Sequence, residues 1–450
     1  MSKTLKRGVD PFLSLYKMHT VIFMVLLVVV APNLLQYGPA GGAFCSPPTA
    51  NNGLLGTSRS CFEDYGSMIQ SNEDLHLIVL VHGLMGSPLE MISLNERLQV
   101  QHFSKTQRNK KEHVWIHSAT CNKGLTFDGI EAGGSRLADE INDLLLEIWT
   151  NIPSRKVHLS LVGNSLGGLY GRYSLSRIQW DPSSLIHNNH KNTTKKTLVP
   201  NLFVTTATPH LGCGFQQTYL PLPRIAEFAI AYFMKQTGKD LFRFNNVIDK
   251  MTFNQNFTKP LTAFQKRIAY VNVHGTDFQV PTPTAAFWAD TDSLHQTENT
   301  CKEDEDPENN LKSQHIVMTL TTPSKVHDGI MSTQHLEDDD AVFNVPTSLL
   351  SLKLDELGWT KVLVDVRDEI SLKINEEQDD KYSIKRKAKS VWTSRELLQE
   401  FDTGRLKSFP LGHTIMVANA KDDFNRKLNK GGLPIMDQLA KEIINSTYQI

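Results

Sequence analysis

The sequence predicts an α/β fold in which a mostly parallel sheet carries helices on both faces. From Leu75 onward, short β-branched runs alternate with amphipathic helical stretches, which is typical of this architecture. Runs such as residues 77–81, Leu-Ile-Val-Leu-Val, are apolar on both faces, as strands buried in a parallel sheet are. With 450 residues, 40% hydrophobic and 21% charged, the chain is an ordinary globular protein. This composition excludes disorder throughout and a polytopic membrane protein.

Six apolar runs are the predicted strands. Between the second and third runs, apolar residues recur along one helical face, which indicates a crossover helix. We therefore expect one large domain over residues 75–450. The predicted strands are 76–82, 113–118, 157–163, 201–206, 268–274 and 360–366, and the helix face is Leu137, Ile141, Leu144, Leu145 and Ile148.

A long span, from about residue 283 to 357, interrupts the alternation. It contains Glu-Asp-Glu-Asp at 303–306 and three aspartates at 338–340. Runs of like charge are usually solvated, so we interpret the span as an insertion with exposed acidic loops rather than as a metal site.

Residues 1–43 are predicted to be a targeting segment, followed by a linker over 44–74. A basic stretch precedes an apolar run at 21–31, which is shorter than the roughly 20 residues that a spanning helix needs. A cleaved signal peptide is the leading interpretation, and an uncleaved signal anchor or a plastid transit peptide are the alternatives. We expect an endomembrane or secretory location (ER, lipid droplet or secreted), membrane-anchored if the signal is retained, with the plastid as the alternative.

Charge and cysteine content exclude other classes of partner. Lys plus Arg number 47 against 48 for Asp plus Glu, so no basic field predicts nucleic acid. The cysteines lack the paired spacing of a zinc site or a disulfide scaffold, which leaves free thiols or one bridge, for example Cys45 to Cys61. The five are Cys45, Cys61, Cys121, Cys213 and Cys301.

Two glycine-containing motifs carry the predicted chemistry. Gly-Asn-Ser-Leu-Gly at 163–167 joins an apolar strand to a helical stretch, which is where a nucleophile elbow lifts its serine, Ser165, above the sheet edge. Val-His-Gly-Leu-Met-Gly-Ser at 81–87 ends the first strong strand. A backbone N–H from such a loop, with the N–H that follows the nucleophile, holds the oxyanion, so we predict Leu84 and Leu166 as donors.

A serine nucleophile needs a histidine base and an acid that orients the histidine. In this fold class the chain order is Ser, acid, His. Asp277, a short turn after the fifth predicted strand, is the predicted acid, and Asp328 in the insertion is its rival. His413, in a loop between the sixth strand and a terminal helix, is the predicted base.

Taken together, these motifs resemble the serine-esterase, lipase-like family of eukaryotes, which includes lipid-droplet phospholipases and monoacylglycerol lipases of yeast. The resemblance implies an α/β-hydrolase fold, a triad of Ser165, Asp277 and His413, and hydrolysis of lipid acyl esters. The sequence departs from the family in its acidic insertion and in Gly-His-Thr at 412–414, where Ala-His-Asn is more usual. The resemblance covers about residues 75–280 and 358–446 and rests on segments 81–87, 163–168, 206–212 and 237–242 and those around Asp277 and His413.

An apolar helical stripe bears on the substrate. It lies in a predicted lid or cap region, about residues 213–260, and favours either a buried helix or a lid that forms an acyl-chain wall over the elbow. We predict Met85, Phe228, Tyr232 and Phe233 as substrate-binding residues. The stripe is Ile225, Phe228, Ala229, Tyr232 and Phe233.

The sequence therefore predicts a serine-dependent lipid acyl-ester hydrolase of lipase or phospholipase type that needs no metal or cofactor. Its expected partners are a glycerolipid or phospholipid substrate and a membrane or lipid-droplet surface. An acyltransferase remains an alternative, because its first half-reaction is identical. A catalytically silent, membrane-associated scaffold is the alternative from another class, and the intact set of Ser, Asp and His argues against it.

Overall fold

The computed structural model describes residues 74–106, 113–151, 156–181, 196–213, 224–273, 277, 279–288, 315–325, 345–366 and 412–447. The targeting segment, the linker up to residue 73, both acidic runs and Asp328 lie outside these residues, as do Cys45, Cys61 and Cys301. Cys121 and Cys213 are partly buried free thiols.

The described strands form one seven-stranded sheet in the order β2-β1-β3-β4-β5-β7-β6. Neighbouring strands pair in parallel, except that β6 and β7 are antiparallel. Each of the six predicted strands is present, and the predicted fold class is confirmed. The strands are β1 (Leu75–Val81), β2 (His113–Ser118), β3 (Lys156–Asn164), β4 (Thr197–Thr206), β5 (Lys266–Asn272), β6 (Ile316–Thr321) and β7 (Thr360–Val364).

The helices lie between and after these strands. Among those that the structure describes, none combines the length and apolar character needed to cross a membrane. They are α1 (Ile92–Thr106), α2 (Ile130–Asn151), α3 (Leu166–Ser174), α4 (Arg224–Phe233), α5 (Lys235–Leu241), α6 (Val247–Phe253), α7 (Gln255–Thr262), α8 (Thr282–Ala285), α9 (Thr347–Asp355), α10 (Gly412–Met416), α11 (Asp423–Leu428) and α12 (Leu433–Thr447).

Successive residues of β1 belong to two cores, one on each face of the sheet. Leu77 and Val79 share a core with the apolar face of α2. Ile78 and Leu80 share the other core with α1 and α12. Because both faces are covered, the strand needs an apolar residue at every position, which explains the uninterrupted run in the sequence.

β6 was not predicted, and it lies inside the span that we interpreted as exposed insertion loops. It pairs with β7 at the edge of the sheet. Met318 and Leu320 are buried, whereas Thr319 and Thr321 are partly exposed. This half-buried alternation suits an antiparallel edge strand and lacks the continuous apolar run that identified the other strands. The span therefore includes part of the sheet.

The carboxyl ends of the parallel strands share one edge of the sheet, where ligands bind in open α/β folds. β3 leads directly into Ser165, and Asp277 comes five residues after the end of β5. His413 lies in α10, further along the chain than β7. The topology thus brings widely separated parts of the sequence to one edge.

Candidate active site

Ser165 occupies the turn between β3 and α3. Its backbone angles, φ 54° and ψ −126°, are strained for a residue with a side chain. Two hydrogen bonds hold the turn: Ser165 N–H donates to Thr206 O at 2.8 Å, and Gly168 N–H donates to Ser165 O at 3.1 Å. The serine is 8% exposed. This is the geometry that a nucleophile elbow requires.

The loop that follows β1 runs against this serine. A Cβ placed on Gly83 would lie 2.8 Å from Ser165 Cβ and 3.4 Å from Ser165 Oγ, so a side chain does not fit there. Gly86 N–H donates to Gly83 O at 3.1 Å and closes the loop into a tight turn. We call residues 83–87 the oxyanion loop, because it contains a predicted donor to the oxyanion.

Of the two predicted oxyanion donors, Leu166 directly follows Ser165, and Leu84 directly follows Gly83, which lies against Ser165. Met85 N–H is already engaged, because it donates to Thr126 Oγ1 at 3.0 Å. No acceptor among the described residues takes the N–H of Leu84 or of Leu166. Leu166 is also the first residue of α3, where the helix dipole favours negative charge. Both amides therefore suit an oxyanion, and their role stays a prediction.

Asp277 and His413, 136 residues apart in the chain, form a buried pair. His413 Nδ1 lies 2.9 Å from Asp277 Oδ2, and the two residues are 6% and 1% exposed. Asp277 Oδ1 accepts the N–H groups of Gln279 and Val280, both at 2.9 Å, and Oδ2 also accepts from Asn272 Nδ2 at 3.1 Å. A carboxylate fixed in this way keeps the proton on Nδ1 and leaves Nε2 as the nitrogen that can accept a proton.

The pKa of His413 lies above the ordinary value for histidine. Burial is the largest influence and by itself lowers the pKa. The charge of Asp277, the hydrogen bond to it and the charge of Glu90 all raise the pKa and together outweigh burial. The imidazolium that forms when His413 accepts a proton is therefore stabilised.

The aromatic face of α4 is exposed. Phe228, Tyr232 and Phe233 are 58%, 79% and 72% exposed, although Ala231 on the same helix is buried. Phe228 stacks on Phe244 with ring centroids 4.5 Å apart. The structure therefore does not bury these three side chains in a core, and no described contact joins them to Ser165. Their role in substrate binding stays a prediction.

Glu90 is a residue of this site that was not predicted. It is 7% exposed and follows the oxyanion loop in the turn Pro88–Met91. Its carboxylate accepts from Gly83 N–H at 3.3 Å and from Asn164 Nδ2. An acidic residue after a glycine-containing loop is too common a pattern to single out, so the sequence held no usable signal. Thr126 Oγ1 and Thr206 O, which accept the amides of Met85 and Ser165, were also not predicted as parts of the site, because these contacts join segments that are far apart in the sequence.

The arrangement can carry out acyl transfer through a serine. Ser165, Asp277 and His413 occur in the chain order of α/β-hydrolases, with the serine at the elbow and the other two hydrogen-bonded. Within the described ranges, no group of three His, Cys, Asp or Glu side chains is placed to hold a metal ion.

Part of the chain matches a protein family. Residues 71–287 match the putative serine esterase family, DUF676. The match covers just under half of the chain and includes Ser165 and Asp277. With the elbow and the buried His–Asp pair, it supports a serine hydrolase.

Three solved structures resemble parts of the chain. The product of gene lin2722 from Listeria innocua shares 13% identity over 47% of this chain and 77% of that chain, with a TM-score of 0.26. Phospholipase PlaB from Legionella pneumophila, in complex with thio-NAD, shares 11% identity over 44% of this chain and 38% of that chain, with a TM-score of 0.24. EstA from Clostridium botulinum shares 12% identity over 51% of this chain and 69% of that chain, with a TM-score of 0.17. Scores this low add nothing to the assignment, and no curated protein matches the sequence.

Proposed function

We propose that this protein hydrolyses acyl esters of lipids through an acyl-enzyme. Ser165 Oγ attacks the ester carbonyl while His413 Nε2 takes the hydroxyl proton, and the amides of Leu84 and Leu166 hold the oxyanion. His413 then gives the proton to the leaving alcohol. Water, deprotonated by His413, attacks the acyl-enzyme and releases the carboxylic acid and free Ser165.

One observation carries this proposal: the buried hydrogen bond between His413 and Asp277, at the sheet edge that presents the strained Ser165. A buried histidine without a partner would have a lowered pKa, but this one has a raised pKa. The serine's backbone strain persists only where surrounding contacts hold it, and such strain concentrates at functional sites.

The exposed aromatic face of α4 supports a lipid as the substrate. Soluble proteins seldom leave neighbouring aromatic side chains such as Phe228, Tyr232 and Phe233 in water without a function. Exposed Lys235 and Lys239 follow in α5. An aromatic face beside cations suits the surface of a membrane or lipid droplet, from which an acyl chain would reach the elbow. We also propose that residues 1–43 direct the protein to endomembranes.

Labelling with a fluorophosphonate probe tests the mechanism. The full chain in mild detergent is compared with Ser165→Ala, and both are assayed with monoacylglycerol, triacylglycerol and phospholipid. We expect the variant to lose labelling and at least about 1,000-fold of its fatty-acid release, because the nucleophile is gone.

Ser174→Ala is the matched control, because Ser174 is a buried serine of α3 whose hydroxyl donates to Gly171 O. It should label as the wild type does. A folded wild type that neither labels nor hydrolyses any ester would refute the proposal, and labelling without fatty-acid release, but with transfer to an added alcohol, would favour an acyltransferase.

A further inference from the structure

Glu90 is a buried carboxylate that the proposed reaction does not use. Carboxylates are almost never buried unless their oxygens are paired. Glu90 is paired with two groups from different parts of the site. Oε2 accepts Gly83 N–H at 3.3 Å, and Oε1 accepts from Asn164 Nδ2. One side chain thus joins the oxyanion loop to the end of β3.

The second contact continues into the turn that holds the nucleophile. Asn164 Oδ1 accepts from Thr206 Oγ1 at 2.9 Å, and Thr206 O accepts Ser165 N–H at 2.8 Å. Asn164 also directly precedes Ser165. A chain of hydrogen bonds therefore runs from Glu90 to the backbone of the serine.

The oxyanion loop is shaped around this carboxylate. A Cβ on Gly86 would lie 2.0 Å from Glu90 Oε2, so a side chain at this position would displace the carboxylate. The Gly83 peptide whose N–H donates to Glu90 is followed by the Leu84 N–H that we assign to the oxyanion. Fixing the first amide restricts the orientation of the second.

We propose that Glu90 is a positioning residue whose carboxylate holds the oxyanion loop against the turn that carries Ser165. The inference rests on the proposed function and adds a part to it. An oxyanion hole works only if its donors are in place before charge develops, and a carboxylate that accepts from both sides of the site supplies that preorganisation.

The negative charge of Glu90 also acts on the pKa of His413. Among the described residues, Asp277 and Glu90 are the charged groups that act on His413, and both raise its pKa. β5 and the turn Lys430–Gly432, which pack against α10, carry Lys266, Arg267, Tyr270 and Lys430 as their titratable groups. None of these four groups is among the charges that shift the pKa of His413.

Glu90→Gln tests the proposal, because the amide keeps the shape of the side chain. Both partners of Glu90 are hydrogen-bond donors, and the new NH₂ group is also a donor. It therefore cannot accept from the partner that it faces, so one hydrogen bond is lost together with the negative charge. With p-nitrophenyl butyrate as substrate, we expect kcat to fall about 10- to 100-fold with little change in KM, because the interaction matters in the transition state. Loss of the Glu90 charge should lower the pKa of His413. The acid limb of the plot of kcat/KM against pH should therefore move to lower pH by a few tenths of a unit or more.

Glu140→Gln is the matched control. Glu140 is also a largely buried carboxylate. It accepts the N–H groups of Thr120 and Cys121 at 2.9 and 3.0 Å and contacts His117 Nε2 at 3.0 Å, and no described bond joins it to the proposed site. We expect this variant to lose thermal stability while kcat and the acid limb stay at their wild-type values.

A Glu90→Gln enzyme whose kcat stays within threefold of wild type, with an unmoved acid limb, overturns the inference. If that variant does not fold, Asn164→Ala breaks the same link from the other side and keeps the charge. It should lower kcat without moving the acid limb, and wild-type kcat in that variant overturns the inference as well. An inactive wild type refutes the proposed function and this inference together, whereas an active wild type beside an equally active Glu90→Gln refutes this inference alone.

Discussion

Two buried histidines, His413 and His76, occupy contrasting surroundings in the same α/β unit. His413 lies at the carboxyl ends of the strands, where its Nδ1 donates to the Asp277 carboxylate at 2.9 Å. His76 lies near the start of β1, where its Nε2 is 2.7 Å from Ser160 Oγ and its Nδ1 contacts Thr447 Oγ1. The His413 ring is thus hydrogen-bonded to a carboxylate, whereas the His76 ring is bonded to neutral hydroxyl groups.

Burial therefore has opposite outcomes at the two sites. Desolvation, together with the smaller effects of the charges of His158 and His102, lowers the pKa of His76 to about 3. The neutral hydroxyls around His76 offer nothing to offset the cost of a buried cation. At His413 two carboxylates outweigh the same cost. His413 is thus suited to accept and release a proton, whereas His76 is a neutral part of the framework.

Asp277→Asn should produce the largest effect, because it removes the charge that distinguishes the two histidines. We expect kcat/KM to fall about 1,000-fold or more. His413 must be neutral to act as a base and its pKa is raised, so the wild-type acid limb should lie above the ordinary histidine value of about 6.5. In the variant that limb should move to lower pH, which kcat/KM measured against pH with a soluble ester would show.

Asp249→Asn is the control for this change. It removes a buried carboxylate of α6 that pairs with Arg243 at 2.8 Å and has no described bond to His413. This control should lower the melting temperature and leave the acid limb in place. An unchanged limb in Asp277→Asn would contradict the contrast between the two histidines.

His76→Asn should have an intermediate effect, on stability rather than on activity. In wild type the unfolded chain takes up a proton at His76 below about pH 6.5, and the folded chain does so only near pH 3. Stability is therefore lost as pH falls between these values, by about 2 kcal/mol at pH 5. The variant should lack this loss while being about 1–3 kcal/mol less stable at pH 7.5, because hydrogen bonds are removed. Urea unfolding at pH 7.5 and 5.0 measures both quantities.

Ser160→Ala separates the hydrogen bond from the titration. It removes the Ser160 hydroxyl partner but keeps the imidazole, so it should be less stable and still show the acid-dependent loss. Equal pH dependence in wild type and His76→Asn would show that His76 is not the group responsible.

The smallest effect on stability is expected at the surface. Replacing Tyr232 and Phe233 together by serine should change the free energy of unfolding by about 0.5 kcal/mol or less, because both side chains are exposed. Sedimentation with phosphatidylcholine–phosphatidylserine vesicles should show several-fold weaker binding, with kcat on a soluble ester unchanged. Leu146→Ser, at a residue of α2 that is 40% exposed, should leave vesicle binding as it is. Undiminished binding by the double variant would remove the support that α4 lends to a lipid substrate.

The strands and the elbow were predictable because their causes are local in the chain. A strand covered on both faces, such as β1, must be apolar at every position. The turn at Ser165 needs glycines directly beside it. β6 escaped prediction because an edge strand is half exposed, so its pattern differs little from that of a loop.

The order of the predicted triad came from the sequence, but its contact did not. Asp277 and His413 were chosen by chain order and by their place after strands, and the structure shows them hydrogen-bonded across 136 residues. The exposure of Phe233 was not predictable, because an apolar stripe by itself does not reveal whether another element covers it.

By itself, the sequence determined the α/β fold, the position of the serine turn and the candidates for acid, base and oxyanion donors. These features depend on the spacing of hydrophobic residues along the chain and on steric limits between residues close together in sequence. Only the tertiary structure decided that Glu90 links the oxyanion loop to Asn164, and that one buried histidine has a raised pKa while another has a lowered one. Desolvation and charge act through space, so their balance depends on which distant segments the fold brings together.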